Sequence, residues 1–327
     1  MPALLVEEAP AKVNLTLRVL GRRADGYHEI ESLVAFAGVG DALSFAPGGA
    51  LALNVRGPSA AQAGASADNL VLKAARALAD RLPTVGAGTF DLEKRLPVAA
   101  GLGGGSTDAA AALRLLARTN KLAPDDPLLY AAARATGADV PVCLDPRTRL
   151  MRGIGEVLFG PFKLPPLQGV LVNPGVALAT KAVFARWKPL ATPLVPADLT
   201  VLTAMTKRDQ LVRFLLSQAN DLESAAIALA PAVADALLAL SSQPHCELSR
   251  MSGSGATCFA IFASAAAAIK AAEAIHAEYP NWWVRATALG GANKSPPPCG
   301  EGQCWRHPAP SRAPTSSDIR RGSLRPP

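Results

Sequence analysis

A glycine-rich stretch at residues 97–108 has the residue types best suited to bind a polyphosphate. Four of its glycines lack the Cβ atom that would keep a ligand from the main chain: Gly101, Gly103, Gly104 and Gly105. The alanine-rich run that follows predicts a helix over 109–120, with Ser106 or Thr107 as its cap. Because free N–H groups and the positive end of the helix dipole meet at such a start, the stretch predicts an anion site.

The spacing of these glycines excludes two common phosphate-binding loops. A Walker loop requires a lysine directly after its last glycine, and Ser106 stands there instead. A dinucleotide-binding loop requires a third glycine at that same position, and an acidic residue about 20 positions further on, where 130–134 have none. A flexible linker is the other alternative, although linkers do not usually run into a capped, strongly apolar helix.

Two charged residues outside this stretch have surroundings that suit acid–base chemistry. Lys12 lies in 11–19, where apolar and polar residues alternate as they do in a half-buried strand. Asp139 lies among small and apolar residues, so we expect a partly buried carboxylate that needs a partner. The pattern by itself also suits a solvated strand lysine at Lys12 and a turn or N-cap aspartate at Asp139, and both interpretations stay open.

The composition favours a globular protein without a nucleic-acid partner. Half of the 327 residues are hydrophobic and 18% are charged, enough for one large domain or two smaller ones. The net charge of +7 is concentrated near the end of the chain, since the residues from Asn293 onward include six basic and two acidic ones. We therefore expect an anionic small-molecule substrate and no nucleic acid.

The cysteines and the apolar segments predict a cytoplasmic protein. The five cysteines show no Cys-x-x-Cys spacing, so neither a zinc site nor a disulfide framework is indicated. No leader-like N-terminus and no apolar run of about 18 residues is present, so we expect no contact with a membrane.

The elements that would position these residues form an α+β arrangement. Predicted strands dominate residues 11–95, with one helix at 70–81, and the strand at 89–95 leads into the glycine-rich stretch. The second half alternates between strands at 170–172, 258–262 and 283–289 and helices between them, the last at 265–278. From Asn293 onward proline is frequent and periodicity is lost, which predicts a disordered tail.

Several motifs together resemble the GHMP small-molecule kinases, the superfamily of galactokinase, homoserine kinase and mevalonate kinase. Pro-x-x-x-Gly-Leu-Gly-Gly-Gly-Ser-Thr at 97–107 is similar to their phosphate loop, and Ser-Gly-Ser-Gly-Ala at 252–256 to their C-terminal glycine motif. Ala-Lys-Val-Asn-Leu at 11–15, Asp-Gly-Tyr-His at 25–28 and Gly-Ala-Asp-Val-Pro at 137–141 resemble the members that act on a cytidine diphosphate ester of methylerythritol.

The resemblance implies a two-domain α+β fold with the active site in the cleft between the domains. The N-terminal ATP-binding domain would cover 1–160 and the C-terminal domain 161–292, while the tail at 293–327 has no counterpart in the family. The implied reaction is the ATP-dependent phosphorylation of the substrate's 2-hydroxyl, with Mg²⁺ bridging the phosphates, in the non-mevalonate pathway to isoprenoid precursors.

The resemblance also implies a role for individual residues. Asp139 matches the family's catalytic aspartate and Lys12 its catalytic lysine. Tyr27 and His28 match positions that hold the cytosine. Phe184 falls where the family has a second stacking aromatic residue, and Asn14 beside the polyol-phosphate end of the substrate. The residues implied to bind ATP form one loop: Pro97, Val98, Ala99, Ala100, Gly101, Leu102, Gly103, Gly104, Gly105, Ser106 and Thr107.

Two other functions compete with this interpretation. A kinase of the same superfamily could act on homoserine or mevalonate, although the Tyr27–His28 pair with Phe184 favours a nucleobase pocket. A nucleotide-binding regulator without catalysis would not need Lys12 and Asp139.

Asp108 stands where many relatives are expected to have asparagine, and it would add a negative charge at the phosphate end. We expect a monomer or a homodimer.

Overall fold

One long strand, β3 (His28–Pro47), organises the first half of the protein. The computed structural model describes residues 5–63, 68–189 and 196–290, all within one compact unit. The sequence predicts two strands, at 33–39 and 42–45, where β3 runs without a break. The strand is continuous because neighbouring strands pair with it along most of its length. The predicted tail from Asn293 lies outside the described residues, and so do residues 190–195.

The other strands of the described residues flank β3 or belong to the second half. They are β1 (Leu5–Asn14), β2 (Arg18–Arg22), β4 (Ala52–Arg56), β5 (Gly88–Glu93), β6 (Arg149–Gly153), β7 (Val157–Phe159), β8 (Leu167–Asn173), β9 (Cys246–Met251), β10 (Cys258–Phe262) and β11 (Trp283–Leu289). β6 and β7 pair antiparallel as a hairpin. The sequence analysis missed β9 as a separate strand.

The helices pack against these strands. They are α1 (Leu70–Ala79), α2 (Gly104–Thr119), α3 (Pro127–Thr136), α4 (Val140–Leu144), α5 (Thr180–Arg186), α6 (Leu199–Ala204), α7 (Arg208–Leu216), α8 (Glu223–Leu229), α9 (Ala232–Ser241) and α10 (Ala265–Glu278). The predicted bounds of α10 and β11 agree with the structure, since Ser264 caps the start of α10 and small or apolar residues alternate with polar ones along β11. Among these helices of the described chain, none has the length and apolar character needed to cross a membrane.

Two sets of strands are joined at one point of a mixed sheet. β1, β2, β5 and β6 pair antiparallel with β3, and β4 pairs parallel with β5. In the second half, β8 lies between β10 and β11, and β9 pairs with β10. The residue pair Leu289 and Ala37 links β11 to β3. A hydrophobic cluster crosses this junction, with Val13 and Leu33 from the first half and Leu171 and Phe259 from the second.

The expectation of a half-buried strand at 11–19 is wrong in two respects. β1 ends at Asn14, and β2 does not start until Arg18. Both faces of the segment are also buried, since Lys12, Asn14 and Thr16 are at most 4% exposed. The polar face is covered because α2 packs on β1 and Ser252 from the second half reaches its last residue. The alternation of residue types is local, whereas this covering comes from residues distant in sequence.

Candidate active site

The glycine-rich stretch lies between β5 and α2, as the sequence predicts, but the helix starts earlier. α2 begins at Gly104, and its N-cap is Gly103, whose φ of 62° is in the left-handed region. The expected caps are therefore wrong: Thr107 lies inside the first turn, and its hydroxyl donates to Gly104 O at 2.9 Å. A side chain at position 103 would be strained by this φ, which explains why glycine ends the loop. The first amides of α2 are left to bind an anion.

A second glycine-rich turn, at 252–256, packs against the loop. Gly101 has a φ of 75°, and a Cβ atom there would lie 2.5 Å from Ser252 O and 2.8 Å from Gly255 O. The Ser252 hydroxyl donates to Gly101 O at 3.0 Å, and Thr257 N donates to Ala100 O at 3.1 Å. Only glycine fits at position 101, because two backbone segments meet there without a side chain between them.

Lys12 and Asp139 come together beside this loop. The backbone N–H of Lys12 donates to Leu102 O at 2.9 Å, which fixes β1 against the loop. Its side chain is buried, passes within 3.0 Å of the place where a Cβ of Gly103 would be, and ends with Nζ 3.4 Å from Asp139 Oδ2. Asp139 precedes α4, and 39% of its side chain is exposed. The buried ammonium therefore meets a carboxylate that a substrate can still reach.

Lys12 and Asp139 do not have the purely structural roles that the sequence pattern left open. Lys12 is not a solvated strand lysine, because it is 3% exposed. Asp139 has the N-cap position of α4 but its side chain makes no capping hydrogen bond. Both groups are thus directed at each other.

Asn14 fixes the position of the Lys12 ammonium. Its Oδ1 accepts a hydrogen bond from Lys12 Nζ at 2.9 Å, and its Nδ2 donates to Ser32 Oγ at 2.7 Å. Its backbone N–H donates to Ser252 Oγ at 3.1 Å. Sequence reasoning missed both Ser32 and Ser252 in this role, because each is far from Asn14 along the chain; the available signal was Ser32 directly before the apolar run at 33–37.

Two of the three predicted nucleobase residues, His28 and Phe184, form an aromatic group with Trp187 near the start of β3. The rings of His28 and Phe184 are stacked, with centroids 4.8 Å apart and planes at 28°, and Trp187 lies edge-on to His28 at 5.5 Å. Tyr27, which directly precedes His28 in the sequence, is 61% exposed. Sequence reasoning missed Trp187 as a site residue, although it follows Phe184 by three positions, directly after the end of α5.

The electrostatics of this aromatic group favour a neutral imidazole. Burial lowers the pKa of His28 below its ordinary value, and the positive charge of Arg22 adds to the effect. A neutral imidazole offers one donor and one acceptor, which suits the polar edge of a base. A hydrogen bond of 2.9 Å between the hydroxyls of Thr180 and Ser254 connects α5 to the second glycine-rich turn.

The Asp108 side chain does not face the phosphate end of the site, where the sequence analysis expects its negative charge. It is 2% exposed and contacts Lys94, with Oδ2 2.7 Å from Nζ. Lys94 also contacts Asp41. The position of this lysine just before the glycine-rich stretch was the sequence signal that went unused.

Comparisons with known proteins agree with this geometry. The family model described as "GHMP kinases N terminal domain" matches residues 69–145, and "GHMP kinases C terminal" matches residues 208–281. The first match contains the glycine-rich stretch and Asp139. The resemblance to GHMP kinases and the α+β fold class are thereby confirmed.

Individual relatives narrow the comparison further. A protein named 4-diphosphocytidyl-2-C-methyl-D-erythritol kinase from Xanthobacter autotrophicus is 57% identical over 88% of this chain and 99% of its own length. Its namesake from Methylobacterium radiotolerans is 56% identical, with the same coverage of both chains. The crystal structure of a 4-(cytidine 5'-diphospho)-2C-methyl-D-erythritol kinase is 33% identical, covers 88% of this chain and all of its own, and superposes with a TM-score of 0.69.

A more distant structure shares the fold only. The homoserine kinase from Cytophaga hutchinsonii has a TM-score of 0.67, covers 90% of this chain and 97% of its own, and is 18% identical.

Proposed function

This chain belongs to the 4-diphosphocytidyl-2-C-methyl-D-erythritol kinases, a family of GHMP kinases, and we propose from its geometry which residues carry out the reaction. The enzyme uses ATP to phosphorylate the 2-hydroxyl of 4-diphosphocytidyl-2-C-methyl-D-erythritol, a step of the non-mevalonate pathway to isoprenoid precursors. The observation that carries the assignment of residues is the contact between Lys12 and Asp139 beside the start of α2.

Asp139 acts as the acceptor of the hydroxyl proton. As the substrate oxygen bonds to the γ-phosphorus of ATP, the bond from that phosphorus to the bridging oxygen breaks and ADP leaves, while the hydroxyl proton passes to Asp139. Such general-base assistance typically contributes about 10²–10⁴ in rate. The partly exposed carboxylate is accessible to substrate and lies 3.4 Å from the Lys12 ammonium.

Lys12 stabilises the charge that develops on the transferred group. Its ammonium is held by Asn14 Oδ1 and Asp139, so it needs little reorganisation when the phosphoryl group arrives. Phosphoryl transfer depends mainly on such positioning and on neutralising charge. Asn14 contributes by orienting Lys12. We also assign to Asn14 a contact with the polyol-phosphate end of the substrate.

The ATP phosphates bind to the loop at 97–107. Support comes from the left-handed φ of Gly103 and from the helix start at Gly104, which directs free N–H groups toward the same place. Ser106, in the first turn of α2, is the side chain best placed to add a contact with a phosphate oxygen.

Mg²⁺ enters as part of the Mg·ATP complex. Within the described ranges, no group of three or more His, Cys, Asp or Glu side chains is arranged to hold a metal ion. Mg²⁺ suits such a site because it is commonly held by substrate phosphates and water rather than by an all-protein cage. When bound, it supplies neutralisation of the phosphate charge.

The cytidine end of the substrate binds at the aromatic group. The stacked rings of His28 and Phe184 offer an aromatic surface, and the neutral imidazole offers polar atoms for the base edge. Tyr27, exposed beside them, supplies a second ring.

The domain division at 160 fits this arrangement. The two family-model matches fall on either side of it, and the site combines Lys12 and the loop with Ser252 of the second half. A cytoplasmic enzyme agrees with the unpaired thiols of Cys143, Cys246 and Cys258, since disulfides are rare in that compartment.

A direct assay tests the function. Purified protein is given Mg·ATP and 4-diphosphocytidyl-2-C-methyl-D-erythritol, with mevalonate, homoserine and galactose as controls. We expect ADP release with the cytidine diphosphate ester only, together with a new phosphomonoester signal in the phosphorus NMR spectrum. ADP release with another alcohol would overturn the substrate assignment. Nucleotide binding without ADP release would indicate a regulator.

A further inference from the structure

A buried ionic cluster connects the two ends of the phosphate loop. It consists of Asp41 on β3, Lys94 after β5 and Asp108 in the first turns of α2, which are at most 4% exposed. Lys94 Nζ lies 2.5 Å from Asp41 Oδ2 and 2.7 Å from Asp108 Oδ2. Nothing in the proposed reaction uses these three side chains, although burying three charged groups is costly.

The cluster holds the chain where it enters the loop. Asp41 Oδ1 accepts hydrogen bonds from the backbone N–H groups of Arg95 at 2.6 Å and Leu96 at 2.8 Å. These are the last two residues before Pro97. The entry to the loop is therefore fixed to β3 by one carboxylate.

The cluster also holds the chain where it leaves the loop. Asp108 belongs to α2, and a Cβ atom at Gly104, the first residue of that helix, would lie 3.1 Å from Lys94 Nζ and 3.7 Å from Asp41 Oδ2. The cluster is thus directly behind the helix start whose amides face the phosphates. Because Coulomb interactions are strong at short range, a change in the charge of the cluster changes the binding of an anion at this helix start.

The cluster contains one more carboxyl group than it has cations. Among the described residues, Asp108 Oδ1 is buried without a hydrogen-bond partner. Burial raises the pKa of Asp108 to about 8, opposed by the charge of Lys94 and assisted by that of Asp41. The desolvation of Lys94 is more than offset by its two carboxylates, so its pKa is raised and it remains a cation.

The other titratable groups around Asp108 leave this balance unchanged. Arg95, next to Lys94, pairs outward with Glu93, at 3.0 Å. On α4, burial followed by the charge of Asp139 keeps the pKa of the Cys143 thiol high, with a smaller contribution from Asp108, so Cys143 is neutral.

We propose that Asp41, Lys94 and Asp108 position the phosphate loop, and that the charge on Asp108 sets how tightly this loop holds the phosphates of ATP. With a proton on Asp108, the cluster is neutral and the helix start attracts the anion. When Asp108 ionises, a negative charge appears behind the amides and opposes binding. The inference rests on the proposed role of the loop, and it assigns to these three residues a positioning role outside the reacting atoms.

The test compares the wild type with Asp108→Asn, which keeps the shape of the side chain but cannot ionise. The dissociation constant of Mg·ADP is measured by calorimetry between about pH 6.5 and 9.5, across the range in which Asp108 changes charge. We expect the wild type to lose about tenfold in affinity toward the alkaline end, as one nearby buried charge can cause, and Asp108→Asn to lose much less. Asp125→Asn, an exposed aspartate outside the cluster, should behave as the wild type does.

A second variant keeps Asp108 and changes its neighbour. Asp41→Asn removes the charge that helps Asp108 retain its proton, so the alkaline loss of affinity should move to lower pH. This variant decides the question if Asp108→Asn does not fold.

The outcomes separate the inference from the proposed function. An equal alkaline loss in the wild type and Asp108→Asn, or an unchanged midpoint in Asp41→Asn, would overturn the inference while leaving the loop as the nucleotide site. Failure of the wild type to bind Mg·ADP at any pH would overturn the proposed function itself. A purely structural role for Asp108 would shift affinity equally at every pH, which also contradicts the inference.

Discussion

Lys12 Nζ lies 3.4 Å from Asp139 Oδ2, although the two residues belong to elements separated by the whole phosphate loop. Lys12 is on β1, which is bonded to the loop through Leu102 O, and Asp139 precedes α4, which packs on α2. The pair therefore forms only when the loop and α2 have their native arrangement. A catalytic contact of this kind reports on the folding of the nucleotide site as well as on its chemistry.

Asp139→Asn should reduce kcat by about 10²–10⁴, because the amide keeps the shape of the side chain but cannot accept a proton. The KM for ATP should change little, since the loop amides that hold the phosphates are intact. Steady-state kinetics measure both constants, and Asp125→Asn serves as the matched control because that side chain is exposed. Turnover equal to the wild type would remove Asp139 from the mechanism.

Ser252→Ala should lower both stability and turnover. The Ser252 side chain is fully buried, accepts from Asn14 N and donates to Gly101 O, so its loss removes the partner of one buried and one part-buried backbone group. We expect a decrease of about 1–3 kcal/mol in the free energy of unfolding, measured with urea. Ser241→Ala, at the exposed end of α9, should change it by much less. Equal effects of the two substitutions would contradict a linking role for Ser252.

The sequence predicts the elements whose signals are local. The bounds of α10 and β11 and the start of α1 at Leu70 follow from residue alternation and capping residues. The position of the phosphate loop is predicted for the same reason, because glycine spacing is visible in a short window.

The features that the sequence does not predict depend on distant contacts. The burial of Lys12 and Thr16 depends on parts of the chain that are distant in sequence, because α2 and Ser252 of the second half cover this segment. The start of α2 at Gly104 rather than near Ala109 depends on the left-handed conformation of Gly103. Glycine permits this conformation, but a glycine in the sequence does not predict it. The partner of Asp108 is Lys94, which follows β5 and lies outside α2, so no helix pattern could have indicated it.

Gly101→Ala should weaken nucleotide binding by about 10- to 100-fold, because a displacement of the loop moves the amides away from the phosphates. The substitution is unfavourable for two reasons: a φ of 75°, and a Cβ that would lie 2.5 Å from Ser252 O. Calorimetry with Mg·ADP measures the effect. Gly86→Ala is the control, since Gly86 is exposed and has open space around it. Similar affinities for both variants would show that this contact does not shape the loop.

Phe184→Ala should raise the KM for the cytidine substrate by roughly 5- to 150-fold, because stacking of a base on an aromatic ring contributes about 1–3 kcal/mol. The KM for ATP should stay within about twofold of the wild type, since in our assignment the ATP site is the separate loop at 97–107. Tyr279→Leu, which breaks a stacked pair with Trp282 at 3.9 Å elsewhere, is the matched aromatic control. A rise in the KM for ATP instead would mean that Phe184 belongs to the nucleotide side of the site.

The stability of the protein should fall with rising pH because of Asp108. Burial raises the pKa of this carboxyl from its ordinary 3.8 to about 8, so the folded state binds its proton more tightly than the unfolded state does. That contribution to stability is complete below about pH 4 and is lost as pH rises toward about 8. Asp108→Asn cannot titrate, so its free energy of unfolding relative to that of the wild type should increase between about pH 5 and 9. Urea unfolding of both proteins across this range measures the difference, with Asp125→Asn expected to follow the wild type. A difference that stays constant with pH would mean that Asp108 is ionised throughout, held in that state by Lys94.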